Sequence, residues 1–133
     1  MRTGNTPFHL NTKPTFGTCA GTILLAKDVT NPAQRSFAVL DIEVERNAYG
    51  RQNDSTIITE ETSLPGGPME MVFIRAPRIS RVGDGIEVLA KREGNATLVR
   101  KGKLLAATFH PELSDDTRVH QLFLDMVRED AGC

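Results

Sequence analysis

The chain has 133 residues, of which 39% are hydrophobic and 25% are charged. This length supports one hydrophobic core and is too short for two ordinary domains. With 16 basic and 17 acidic residues, the formal net charge of -1 excludes a strongly basic nucleic-acid-binding protein. The longest apolar runs, such as Ile23 to Ala26, are far shorter than a membrane span. We therefore expect a soluble, cytoplasmic protein with neither nucleic acid nor membrane as a partner.

The cysteine content favours reduced thiols over a disulfide framework. There are 2 cysteines, and Cys133 is the last residue, where an ordered disulfide partner is not expected. The cysteines and the 3 histidines show no spacing typical of metal ligands, so we expect no metal site. The role of Cys19 must then be judged from its neighbours in the sequence.

The first part of the chain divides into a lead-in and the start of a folded domain. Residues 1–13 contain turn formers without sustained periodicity, so we expect an irregular lead-in there and one domain over residues 14–133. Pro14 to Phe16 fits a short strand, and Thr22 to Lys27 fits a helix with an apolar face. The order is thus strand, tight turn and helix.

Further short strands follow from hydrophobic patterning. Residues 36–46 alternate as in a half-buried strand, whereas residues 47–67 are polar and predict a long surface loop. Met69 to Ala76 is an apolar strand that ends before Pro77. Three strands with short turns between them then predict a meander: Ile86–Lys91, Ala96–Arg100 and Leu104–Phe109.

The C-terminal segment predicts an amphipathic helix. Ser114 is a candidate N-cap, and Asp115 and Asp116 suit the positive end of a helix dipole. Apolar residues then recur at helical spacing: Val119, Leu122, Phe123, Met126 and Val127.

The segment Gly17-Thr18-Cys19-Ala20-Gly21 has the form of a nucleophile elbow, in which small neighbours allow a sharp turn between strand and helix. Such a turn places the Cys19 sulfur near a helix N-terminus, which favours the thiolate. It also directs the backbone N–H of Ala20 toward an oxyanion formed when the sulfur attacks a carbonyl. A small buried cysteine between two turn glycines explains the same five residues about equally well.

A nucleophilic thiol needs a base, and His110 is the candidate. It follows an apolar strand and begins His110-Pro111-Glu112, where the proline stiffens the turn and the carboxylate can orient the imidazole. The set predicts Cys19 as nucleophile, His110 as proton carrier and Glu112 as the orienting group. The alternative is a strand-end histidine bonded to a loop, which would be preferred if Cys19 were not in an elbow.

The other two histidines are weaker candidates. His120 falls on or near the polar side of the C-terminal helix, where a solvated or locally bonded side chain is expected. His9 lies in the lead-in with no neighbouring group at ligand spacing.

Four segments together resemble the glutaminase subunits of pyridoxal 5'-phosphate synthase, which are class I glutamine amidotransferases. The elbow and His-Pro-Glu are typical of the whole class, whereas Arg-Asn-x-x-Gly-Arg-Gln and Ile-Arg-Ala-Pro are more specific to these subunits. In chain order the segments are Phe16–Gly21, Arg46–Gln52, Phe73–Pro77 and Phe109–Leu113.

The resemblance implies an α/β fold in which helices flank a mixed sheet. It implies hydrolysis of L-glutamine to glutamate and ammonia, with the ammonia passed to a synthase subunit in a hetero-oligomer. Pyridoxal 5'-phosphate is then the product of the complex, and no cofactor is expected. By residue match the triad would be Cys19, His110 and Glu112, and the glutamine pocket would include Arg46, Ile74 and Arg75.

The sequence departs from this family before the elbow. The family has an initial strand and a Gly-Gly-Glu-Ser segment there, and Gly4-Asn5-Thr6 does not match it. We therefore expect an N-terminally truncated version of the fold with reduced activity, since one oxyanion donor is worth about a hundredfold or more in rate. Two alternatives stay open: a non-catalytic partner or regulator of the synthase, and another thiol hydrolase built on the same elbow.

Overall fold

A computed structural model describes residues 14–30, 36, 38–46 and 55–132, and for residues 130–132 it describes the backbone only. The predicted lead-in over residues 1–13 lies outside this part of the chain. The strands, in chain order, are β1 (Thr15–Thr18), β2 (Ala26–Thr30), β3 (Leu40–Glu45), β4 (Thr56–Glu60), β5 (Met69–Phe73), β6 (Arg78–Val82), β7 (Glu87–Arg92), β8 (Asn95–Lys101) and β9 (Leu104–Ala107). Helix α1 (Ala20–Leu25) follows β1, and a 3-10 turn (Pro111–Leu113) and helix α2 (Arg118–Gly132) follow β9.

The described strands form three sheets that contain both parallel and antiparallel pairs. A four-stranded sheet has the order β1-β9-β8-β7, with β1 parallel to β9 and the other neighbours antiparallel. A second sheet has the order β2-β3-β6, and β4 pairs with β5. The predicted mixed α/β fold is confirmed, although the strands divide into three sheets where one was expected.

Strand β9 lies between two hydrophobic clusters and is buried on both faces. Leu105 and Ala107 pack into one cluster, which includes Phe73, Phe109 and the buried side of α2. Leu104 and Ala106 pack into the other, with α1 and the buried residues of β3. Because side chains alternate along a strand, the two leucines and two alanines of β9 contribute to both hydrophobic clusters. The strand that leads to His110 is thus held rigidly at the centre of the core.

Several predicted elements end elsewhere or differ in type. The helix expected over Thr22 to Lys27 stops at Leu25, because Ala26 adopts an extended conformation, is fully buried and pairs with Leu40 of β3. The polar segment 47–67 was expected to be a loop, yet its β-branched residues 56–59 form β4 against β5. The first part of that segment, residues 47–54, lies outside the described residues. Strand β6 was missed, because its two arginines obscure the alternation.

The predicted helix cap at Ser114 is wrong. The Ser114 hydroxyl accepts a hydrogen bond from the Asp116 N–H at 3.1 Å, within the turn that follows the 3-10 segment. The Asp116 carboxylate then accepts from the Arg118 N–H at 3.0 Å, at the residue where α2 begins. Both residues bond to backbone N–H groups as helix caps do, but the helix starts four residues after Ser114.

Candidate active site

The elbow is a sharp turn between β1 and α1. Cys19 has φ 47° and ψ -103°, a conformation that non-glycine residues rarely adopt and that often marks a functional site. Gly17 is required by close packing, since a Cβ there would meet the Gly21 carbonyl carbon at 2.8 Å and Leu25 Cδ1 at 2.9 Å. A Cβ at Gly21 would meet nothing within 4 Å, so the second glycine of the motif has no steric reason in the described structure.

Parallel pairing of β1 with β9 brings the elbow beside the segment that carries His110. Thr18 and Ala107 are paired, and each is the last residue of its strand. Both segments therefore leave the sheet at the same edge. The Cys19 N–H donates to the Ala107 carbonyl at 2.8 Å. An antiparallel pair would have sent the two segments to opposite ends of the sheet.

The structure brings together the three side chains predicted as a triad. The Cys19 Sγ lies 3.2 Å from His110 Nε2, and His110 Nδ1 lies 2.8 Å from Glu112 Oε2. The backbone N–H of His110 donates to the Val72 carbonyl at 2.8 Å. The 3-10 turn then directs the Glu112 side chain back toward the imidazole ring. Because a carboxylate only accepts, Nδ1 carries a proton and Nε2 of the neutral ring can accept one from the thiol.

The Cys19 thiol is protonated at neutral pH. Burial is the main cause and the negative charge of Glu112 the second, and together they raise the pKa of this thiol from 9.0 to about 11. The thiol also lies 3.1 Å from the Thr108 carbonyl, an acceptor that stabilises the S–H form. The thiolate expected from the helix N-terminus is therefore not the resting state, because burial and the charge of Glu112 favour the protonated thiol at the start of the six-residue helix α1.

Glu112 is ionised at neutral pH. Partial burial acts to raise its pKa, but hydrogen bonds from its own backbone and from His110, with the nearby charges of His110 and His120, lower the pKa below its ordinary value. The charge on this carboxylate stabilises a protonated imidazole at His110, which is what a general base needs after it has accepted a proton.

The residues expected in a substrate pocket fall in two places. Ile74 and Arg75 directly follow β5, two and three residues after Val72, whose carbonyl holds the His110 backbone. Ile74 is 45% exposed, and Arg75 has φ 48° with its N–H 3.2 Å from the Ser55 hydroxyl. Arg46 directly follows β3 and its N–H donates to the Thr30 carbonyl, but among the described residues no hydrogen bond joins it to the triad.

Ala20 is the first residue of α1. Backbone N–H groups in the first turn of a helix have no acceptor within that helix. Its position directly after the cysteine is compatible with the predicted oxyanion donor.

Sequence reasoning missed two features of the site. The Thr108 carbonyl contacts the thiol, and backbone contacts of this kind leave no mark in residue identities. His120 was expected to be solvated or locally bonded on or near the polar side of α2, but its contact with Phe16 was not foreseen. The two rings lie edge-on with their centroids 6.5 Å apart, and His120 contributes to the lowered pKa of Glu112. His9 lies outside the described residues.

A cavity of about 410 Å³ is lined by residues 60–63, 88–91, 93 and 94. It contains none of the predicted site residues, so the triad geometry and not the cavity identifies the candidate site. Among the described residues, no group of three or more His, Cys, Asp or Glu side chains is arranged to hold a metal ion. The helices of this part of the chain are also too short or too polar to cross a membrane.

Comparison with known proteins gives a consistent result. The chain is 70% identical over 119 residues to the pyridoxal 5'-phosphate synthase subunit PdxT of Koribacter versatilis, and 59% identical over 120 residues to that of Solibacter usitatus. These matches cover 90% and 85% of this chain and 62% of each relative. The chain thus spans less than two thirds of the length of these relatives.

A solved structure and a family model agree with these matches. A crystal structure of a glutamine amidotransferase superposes with a TM-score of 0.77 at 44% identity, covering 93% of this chain and 66% of the other. The sequence model of the SNO glutamine amidotransferase family matches residues 5–129. A match over nearly the whole chain establishes that it belongs to the SNO glutamine amidotransferase family.

Proposed function

We propose that this chain is a glutaminase that hydrolyses L-glutamine to glutamate and ammonia and delivers the ammonia to a pyridoxal 5'-phosphate synthase subunit. The observation that carries the proposal is the contact of Cys19 Sγ with His110 Nε2 at 3.2 Å, together with the 2.8 Å contact of His110 Nδ1 with Glu112. Nucleophile, base and orienting carboxylate in this order are the requirement for acyl transfer by a thiol.

The first chemical step forms a tetrahedral intermediate, from which the thioester arises when ammonia leaves. The Cys19 sulfur attacks the side-chain amide carbon of glutamine while His110 Nε2 accepts the thiol proton. This transfer to the base is necessary, because a thiol with a pKa of about 11 supplies little thiolate at neutral pH. The Ala20 N–H would stabilise the oxyanion of the tetrahedral intermediate.

The second part of the reaction releases both products. The protonated His110 gives its proton to the amide nitrogen, the C–N bond breaks and ammonia leaves. His110 then accepts a proton from the water that attacks the glutamyl thioester. The C–S bond breaks, His110 returns the proton to the Cys19 sulfur, and glutamate leaves. Glu112 keeps its negative charge throughout and stabilises the imidazolium in each half of the cycle.

The glutamine pocket is part of the same proposal. Arg46 and Arg75 are the proposed partners of the α-carboxylate, because a guanidinium binds a carboxylate through two parallel hydrogen bonds. Ile74 would contribute backbone groups beside His110. Arg75 is supported by its place after β5, which is attached to His110 through Val72, whereas Arg46 rests on the sequence match alone.

The proposed partner is the synthase subunit, in a hetero-oligomer that also protects the ammonia from loss. The names of the relatives, which are synthase subunits, support this assignment. A cytoplasmic location is proposed with it, since a catalytic thiol is best maintained in a reducing compartment. No cofactor is required by the chemistry above.

The test is ammonia release from L-glutamine by the chain, alone and with the synthase subunit. Cys19→Ala should abolish release, and Cys133→Ala is the matched control because it removes the other cysteine of the chain. Glutamate should form in a 1:1 ratio with ammonia if the thioester is hydrolysed.

A second outcome would favour a different role. If the chain binds the synthase but releases no ammonia with or without it, the proposal is wrong and a non-catalytic partner or regulator is favoured. The resting protonation of Cys19 is the observation that makes this outcome worth testing. Turnover of another amide or ester that is lost in Cys19→Ala, without glutamine turnover, would indicate a different thiol hydrolase.

A further inference from the structure

Thr22 makes contacts that its position in a helix does not explain. Its side chain is fully buried in the first turn of α1. A helical threonine ordinarily bonds its hydroxyl to a carbonyl three or four residues earlier in its own helix. Here the Oγ1 atom lies 2.5 Å from the Ala107 carbonyl of β9 and 3.1 Å from the Gly17 carbonyl of β1.

The Ala107 carbonyl is where the two halves of the candidate site meet. It accepts from the Thr22 hydroxyl and also from the Cys19 N–H at 2.8 Å. Ala107 ends β9, and the next residues are Thr108, whose carbonyl contacts the Cys19 thiol, and then the segment with His110. Cys19 of the elbow and Thr22 of α1 thus both hold one peptide group at the end of the strand that leads to His110.

We propose that Thr22 is a positioning residue that sets the separation between Cys19 Sγ and His110 Nε2 through the Ala107 carbonyl. The inference rests on the proposed pairing of nucleophile and base but not on the identity of the substrate. Without the hydroxyl, the Ala107 carbonyl keeps the Cys19 N–H as its partner, and the first turn of α1 loses its hydrogen bond to β9. The 3.2 Å contact at the end of both segments is then less well defined.

The experiment measures alkylation of Cys19 by iodoacetamide at fixed pH, with peptide mass spectrometry to separate Cys19 from Cys133. Thr22→Val replaces the hydroxyl by a methyl group of similar volume and should slow alkylation about fivefold, the effect expected from one buried hydrogen bond. Thr22→Ser keeps the hydroxyl and should react like the unsubstituted chain. Because glutamine is absent, a failure of the glutaminase proposal would leave this result interpretable.

A matched control separates positioning from general stability. Thr97 is 1% exposed on neighbouring β8, and its Oγ1 lies 3.4 Å from Met71 Sδ and not on the Ala107 carbonyl. Its backbone carbonyl accepts from the Thr108 N–H at 2.9 Å, a bond that substitution by valine keeps. Thr97→Val also removes a buried hydroxyl, but it should leave the alkylation rate unchanged. Circular dichroism melting of every variant confirms that the folded chain is being compared.

A double-mutant cycle tests whether Thr22 acts through the base. In a His110→Gln background the effect of Thr22→Val should disappear, because there is no base left to position. The proposal is overturned if Thr22→Val has the same effect in both backgrounds, if it has none in either, or if Thr22→Ser reacts as slowly as Thr22→Val. Should Thr22→Val not fold, Thr22→Ala against Thr22→Ser is judged by the same criteria.

Discussion

The two glycines of the elbow should respond in opposite ways to the same substitution. In Gly17→Ala the added Cβ would lie 2.8 Å from the Gly21 carbonyl carbon, 2.9 Å from its oxygen and 2.9 Å from Leu25 Cδ1. Two of these atoms are backbone, so relief requires α1 to move away from β1. In Gly21→Ala the added Cβ enters open space.

The magnitudes follow from these contacts. Carbon atoms pack at about 3.5–4.0 Å, so Gly17→Ala creates an overlap of roughly 0.7 Å or more with a rigid neighbour. Overpacking of this kind costs about 1–3 kcal/mol in the free energy of unfolding. Gly21→Ala lies within a helix and should stabilise the chain by up to about 1 kcal/mol, because alanine loses less backbone entropy on folding.

The assay is urea unfolding of both variants beside the unsubstituted chain, with the transition midpoint and slope fitted together. We expect the midpoint to fall for Gly17→Ala and to stay or rise for Gly21→Ala at an unchanged slope. Equal destabilisation by both substitutions, or a neutral Gly17→Ala, would refute the described packing of α1 on β1.

Three further predictions concern the protonation of Cys19, the hydrogen bonds of Arg118 and the hydrophobic core. In His110→Gln, which lacks the base, only free thiolate can be alkylated, and burial and Glu112 still raise the pKa of Cys19, to about 11 in the unsubstituted chain. The alkylation rate of this variant should therefore rise about tenfold per pH unit above neutrality, and a plateau near pH 7 would contradict the raised pKa. Arg118→Ala removes hydrogen bonds to the carbonyls of residues 65, 67 and 68 and should lower the unfolding free energy, because α2 loses these three bonds to the segment before β5. Its control Arg128→Ala, in an exposed ion pair, should change it by less than about 1 kcal/mol by urea unfolding. Met71→Ala should lower the free energy of unfolding by about 2–5 kcal/mol, because Met71 is fully buried. Ile57→Thr, on the exposed face of the neighbouring strand β4, should be nearly neutral. Similar melting temperatures for the two variants would refute the register of β4 with β5.

Local sequence patterns were sufficient to predict the features that are formed by residues close together in the sequence. Glycine spacing around Cys19 predicted the elbow, and the proximity of His110 and Glu112 followed from their separation by one proline. Strand β3 was predicted from its alternation, since Leu40, Ile42 and Val44 face the core and the residues between them do not. The C-terminal helix was predicted from its apolar spacing, although its first turn was placed too early.

Long-range pairing was decided only by the tertiary structure. The meeting of Cys19 and His110, 91 residues apart, depends on the parallel register of β1 with β9, which composition and periodicity do not specify. The protonated state of Cys19 depends on burial and on Glu112, and the role inferred for Thr22 depends on a carbonyl 85 residues away. A sequence specifies residue types and their local spacing. The burial of a titratable side chain, and the backbone carbonyls to which it can bond, are set only when the chain packs. The sequence by itself therefore determined which groups could react, and the tertiary structure decided their distances, their protonation and which residues hold them in place.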